Sequence, residues 1–138
     1  MDDEDDVVQF DLEGEGPATL TVAHGVGGEG RYLRTGRGPG SYGHIRVTLY
    51  PHRGARPYRF EWQVPRGALP PAYMKRAALA GVKEALVEPL PRGERVSCLR
   101  VSVVDGSYHE TDSDEQSVRI AAAMAVRDAL SRATFVKA

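Results

Sequence analysis

The chain has 138 residues, the length of one domain and too short for two independently cored ones. Its 41% hydrophobic and 27% charged residues are ordinary for a soluble protein, and no run approaches the ~18 apolar residues of a membrane-spanning helix. The formal net charge of −1 hides a segregation: residues 1–16 hold eight acids and no Lys or Arg, which leaves 11 acids against 18 bases, 15 of them Arg, in residues 17–138. That basic body suits a polyanionic partner, although Arg and Ala richness also follows from GC-rich coding with no binding implied. The acid-rich start is the opposite of a secretory signal, so a cytoplasmic location is expected. Cys98 is the single cysteine. It permits no intramolecular disulfide and reads as a small core residue.

In chain order, residues 1–16 read as an acidic, mobile head and residues 17–138 as the folded domain. Thr19-Leu20-Thr21-Val22 alternates with period two and predicts a strand, closed by the glycine-rich run from Gly25 to Gly30. A second short strand is expected over 31–35. Three glycines and a proline in Gly36-Arg37-Gly38-Pro39-Gly40 then forbid regular structure, which makes this an exposed loop. From His44 to Tyr50 the alternation puts Ile45, Val47 and Leu49 on one side and Arg46 and Thr48 on the other, a half-buried strand. Residues 58–64 repeat the pattern, and the two strands are expected to pair across residues 51–57. Leu69-Pro70-Pro71 marks the start of a helix over 72–87, with Met74, Ala78, Val82 and Leu86 as its apolar stripe and Pro89 as its stop. Leu99–Val104 is another alternating strand, ending at Asp105-Gly106. A second helix is predicted over 113–133, with Ser113 as N-cap, Gln116 completing a capping box, and Asp114 and Glu115 in the first turn. Its body is apolar at almost every position except Arg119, Arg127 and Asp128, so it should lie deep against the sheet.

The chemistry-bearing residues exclude more than they assign. His109 with Glu110, Asp112, Asp114 and Glu115 could form a metal cluster or an acid/base pair, but the carboxylates already serve the helix start and no second histidine lies nearby in sequence. No metal or cofactor is therefore expected. The Gly36-x-Gly38-x-Gly40 run opens a strand rather than a helix, so it is no dinucleotide fingerprint. No Gly-x-x-x-x-Gly-Lys-[Ser/Thr] loop is present and the only lysines are Lys75, Lys83 and Lys137, which excludes GTP hydrolysis by that machinery. Tyr42 and Tyr108 could stack on bases but read better as anchors of the loop ends. His44, at the start of a strand, reads as a hydrogen-bonded structural residue, and His24 and His52 as ordinary loop residues.

Two loops carry a resemblance. Thr35-Gly36-Arg37-Gly38-Pro39-Gly40-Ser41-Tyr42-Gly43-His44 resembles the Thr-Gly-Gly-Arg-Gly-Gln-Tyr-Gly-His signature of domain IV of elongation factor G, a translational GTPase. The stretch from Asp105 to Glu115, with Gly106-Ser107-Tyr108-His109, resembles that domain's second signature, followed by an Ala-rich helix. Between them, Val64 to Tyr73 and Gly81 to Pro91 resemble further family stretches, in the same order and spacing over about residues 29–133. Several motifs in register are far more specific than one short match. The first loop departs from the pattern: it is one residue longer, includes Pro39 and has Ser41 where the family has Gln.

The resemblance implies an α+β fold, a two-layer mixed sheet of about four strands with two helices on one face and a left-handed β-α-β crossover, like the second domain of a small-subunit ribosomal protein. It also implies a tip at which the two loops meet the decoding site, with transfer RNA and messenger RNA backbone as contacts. Carried over, Ser107, Tyr108 and His109 form the tip, and Arg37, Gly38, Gly40 and Ser41 the facing loop. The expected protein is a non-enzymatic ribosome- or RNA-binding module without a motor, with a GTPase lacking this domain as a further partner. The alternative is a protein-interaction module that keeps the fold but has lost ribosome binding.

Overall fold

Alternation of β-branched and aromatic residues with polar ones makes most of the strands, and the apolar member of each pair sets the buried face. The computed structural model describes residues 6–35, 40–65, 73–107, 109 and 113–138. Its elements are β1 (Val7–Phe10), β2 (Ala18–Val22), β3 (Val26–Arg34), β4 (Ser41–Pro51), β5 (Tyr58–Trp62), α1 (Tyr73–Leu86), β6 (Arg95–Val96), β7 (Leu99–Ser107), α2 (Glu115–Arg132) and β8 (Phe135–Lys137). A five-stranded sheet has the order β1-β5-β7-β4-β3, and a three-stranded sheet the order β6-β2-β8. In the larger sheet β5 and β7 are parallel, with α1 in the crossover between them, and every other pairing is antiparallel. Ile45, Val47 and Leu49 of β4, Tyr58 and Phe60 of β5, and Leu99, Val101 and Val103 of β7 are buried in one core with Met74, Ala78 and Val82 of α1 and Ala121, Ala125 and Ala129 of α2. The fold is α+β with two helices on a mixed sheet, as expected, and among the described residues no helix is long and apolar enough to cross a membrane.

Several local expectations are corrected. The strands at 44–50 and 58–64 do not pair with each other, because β7 lies between them, antiparallel to β4 and parallel to β5. The main sheet has five strands rather than about four, since part of the acidic head is ordered as β1. Phe10 is only 7% exposed, stacks on Tyr58 at 5.4 Å and lies under Lys83 Nζ of α1 at 5.0 Å, while Asp6 pairs with Lys75. Two apolar side chains, Val8 and Phe10, thus recruit a strand that the acid count concealed. Residues 1–5 and the proline-marked helix start at Leu69–Pro71 lie outside the described residues. Cys98 is half-exposed and has a left-handed φ of 52°. Its carbonyl accepts from the His52 N–H and the Thr21 hydroxyl, both at 2.8 Å, so it anchors a turn rather than filling the core.

The glycine-rich run is the most instructive correction. Far from closing a strand, Val26 to Gly30 begins β3, and Gly28 and Gly30 face α2. A Cβ on Gly28 would come within 2.6 Å of the Ala129 nitrogen, and one on Gly30 within 2.6 Å of the Ala125 nitrogen. The Ala-rich helix therefore lies directly on a sheet stripped of side chains at the contact, the close backbone approach that glycine permits.

Candidate nucleic-acid interface

Strand β4 carries the end of the first signature into the sheet. Pairing with β3 runs from Val26↔Leu49 to Arg34↔Ser41, and pairing with β7 reaches His44↔Ser107. Because successive side chains alternate, Gly43 points toward α2 while Tyr42 and His44 point to the helix-free face. Gly43 has no room for anything larger, since a Cβ would come within 2.6 Å of the Ser117 carbonyl carbon in the first turn of α2. The Tyr-Gly-His triplet thus seats a helix on one face and presents two polar rings on the other. On β7, a bulge opposite Arg46 and Val47 lets the strand continue past Asp105-Gly106 to Ser107, beyond the expected end, and brings Ser107 beside His44.

There the two signatures are bonded together. His44 is 8% exposed and both its ring nitrogens are engaged: Nδ1 lies 2.7 Å from Ser107 Oγ, and Nε2 bonds the Glu29 carboxylate. Ser107 Oγ also lies 2.6 Å from Tyr42 Oη. The hydrogen bond from His44 is the chief reason the Glu29 carboxyl sits below its ordinary pKa, with Arg31 and Arg46 adding attraction. As an ionised acceptor, Glu29 makes Nε2 the donor.

Beyond Ser107, His109 is held by its backbone. The His109 N–H donates to Ser113 Oγ and the Ser113 N–H donates to the His109 carbonyl, both at 2.8 Å, and the His109 ring stands 6.3 Å from that of Tyr42. Ser113 is therefore not the helix N-cap. That position belongs to Asp114, whose carboxylate accepts from the Ser117 N–H at 2.7 Å. The shift by one residue frees the Ser113 hydroxyl to accept from the His109 N–H.

Of the seven residues expected at the site, Ser107 and His109 come together at the α2 N-terminal end of the domain through Tyr42 and Ser113. Gly40 and Ser41 are described, but Ser41 pairs with Arg34 three residues beyond the last described β4–β7 pair, about 10 Å along the strand. Arg37, Gly38 and Tyr108 lie outside the described residues. His44 and Tyr42 are the hydrogen-bonded and anchoring residues expected. Glu29 was missed because its segment read as a turn; its alternation with Gly28 and Gly30 in β3 is the signal that finds it. Exposed Arg31, 3.9 Å from Glu29, and exposed Arg46 add positive charge to this face.

Residues 21–134 match the family Elongation factor G, domain IV. The chain is 39% identical over 107 residues to the elongation factor G of Petrotoga mobilis, an alignment that takes in 76% of this chain and 15% of that protein. It is also similar to a crystal structure from Thermus thermophilus, with a TM-score of 0.77 and 29% identity, over 92% of this chain and 19% of that one. The chain thus spans a small part of the length of the relatives it matches. By the extent of the family match and the agreement of its fold, the chain belongs to the elongation factor G domain IV family.

Proposed function

We propose that this domain is a non-enzymatic ribosome- or RNA-binding module, with Ser107, Tyr108 and His109 as the tip and Arg37, Gly38, Gly40 and Ser41 as the facing segment. The observation that carries the reading is the bond between the signatures: Tyr42 and His44 of the first both meet Ser107 of the second, so segments some sixty residues apart converge at one end. The basic surplus of residues 17–138 supports a polyanionic partner, and glycines beside an arginine suit phosphate, where backbone N–H groups and a guanidinium fork can approach closely. Small-subunit ribosomal RNA, transfer RNA and messenger RNA are the partners of that chemistry. A GTPase that lacks this region is the protein partner that fits, since these 138 residues contain no phosphate loop. The reading requires no cofactor and places the protein in the cytoplasm.

Binding to purified small ribosomal subunits at low salt tests it. The wild type should bind with an affinity that falls steeply as salt rises, and the double substitution Arg37→Ala with His109→Ala should weaken binding at least about tenfold. Failure of the wild type to bind at low salt, or equal binding by the double variant, would reject the reading. Retention of protein partners without RNA would mark the protein-interaction module instead.

A further inference from the structure

We infer that His44 is a positioning residue for the tip: it holds Ser107, and through it Tyr42, so that the two signature segments keep one mutual orientation. The functional consequence rests on the RNA-binding reading above; the geometry does not. Among the described residues His44↔Ser107 is the last rung joining β4 to β7, and β4 continues beyond it along β3. At that rung the described side-chain bonds from β4 to Ser107 come from Tyr42 and His44. The buried His44 ring is itself fixed because each of its nitrogens has a partner.

The protons are consistent around the chain of bonds. In the tautomer with Nε2–H donating to Glu29, Nδ1 accepts the Ser107 hydroxyl proton, and Ser107 Oγ accepts that of Tyr42. Each donor is then used once, and the charged end, Glu29, sits on the outer strand, where Arg31 and Arg46 face it. Carboxylate, imidazole and hydroxyl also stand in this order in hydrolase relays. Here, however, the second side of the serine oxygen is taken by Tyr42, so the hydroxyl serves as a link between two strands. Tyr42 in turn stands beside the His109 ring, which carries the orientation to the tip. A contact surface that must match a fixed RNA backbone loses affinity when its segments drift by about an ångström.

The test compares His44→Leu with His44→Asn. The asparagine amide reaches the place of Nδ1 and keeps a partner for Ser107, whereas leucine fills the space without one. His44→Leu should weaken small-subunit binding about tenfold and shift the backbone amide resonances of His109 and Ser113, while His44→Asn should stay within about threefold with those resonances near their wild-type positions. Ser107→Ala should match His44→Leu, and the double variant should be no worse than either alone. Equal behaviour of the leucine and asparagine variants at equal folded fraction, or unmoved His109 and Ser113 resonances in His44→Leu, would overturn the inference. Should the wild type bind no subunits, the proposed function falls while the resonance comparison still decides this one. Where His44→Leu does not fold, Tyr42→Phe removes only the hydroxyl on Ser107; it should shift the same resonances, and unmoved ones would reject the inference.

Discussion

The body of α2 and the segment at its N-terminal end are ordered by different means. Along the body, Gly28 and Gly30 of β3 meet Ala121, Ala125 and Ala129 with no side chain to spare, and the fit is steric. At the first turn, Gly43 seats the helix in the same way, but the neighbouring groups are joined by directional bonds: Asp114 to Ser117, Ser113 to His109, and Ser107 to Tyr42 and His44. The difference teaches a division of labour. Dispersion and burial fix where the helix lies, at the cost of tolerating no added atom, whereas the hydrogen bonds link Ser107 to β4 and His109 to Ser113 and can be removed singly without emptying the core.

The comparison breaks first at the body. Gly30→Ala would overlap the Ala121 carbonyl and approach the Ala125 nitrogen to 2.6 Å, so a helix backbone rather than a side chain must move. A loss of about 3 kcal/mol is expected in chemical denaturation, and a wild-type midpoint would show that α2 can lift without penalty. A smaller effect separates two adjacent residues at the first turn. Asp114→Ala should cost about 1 kcal/mol of global stability as a lost N-cap. Ser113→Ala should leave the helix cap in place and instead speed hydrogen exchange at the His109 amide; a reversed pattern would restore Ser113 as the cap. The smallest effect is expected at Glu29. Because its carboxyl titrates below the ordinary value of 4.5, its contribution is present above that pH and is lost as the pH falls through the lowered value. Glu29→Gln should therefore flatten the acid limb of stability below the ordinary carboxyl value of 4.5, as read from urea midpoints, and parallel limbs would show that the His44 bond adds nothing.

Much of the site could be read in the chain itself, for identifiable reasons. Ile45, Val47 and Leu49 alternate cleanly because β4 has one buried face, and the stripe of Met74, Ala78, Val82 and Leu86 marks the buried side of α1. The described ends of the two signatures meet at Ser107, and His44 and Tyr42 are the anchors their positions suggest. Glu29 escaped because glycines in sequence suggest turns, and only a helix resting on them reveals a strand. Strand β1 escaped because six acids in the first eleven residues outweigh two core side chains in any composition argument. The pairing of β4 with β5 was misjudged because neighbours in sequence are the default partners, and nothing local announces that β7 returns between them.

The sequence by itself determined the fold class and the family, because periodicity and spaced motifs are local and survive without coordinates. Only the tertiary structure decided the strand order, the role of the glycines and the chain of bonds from Glu29 to Tyr42. Those depend on which backbones approach one another across long separations in sequence, and no local pattern encodes that approach.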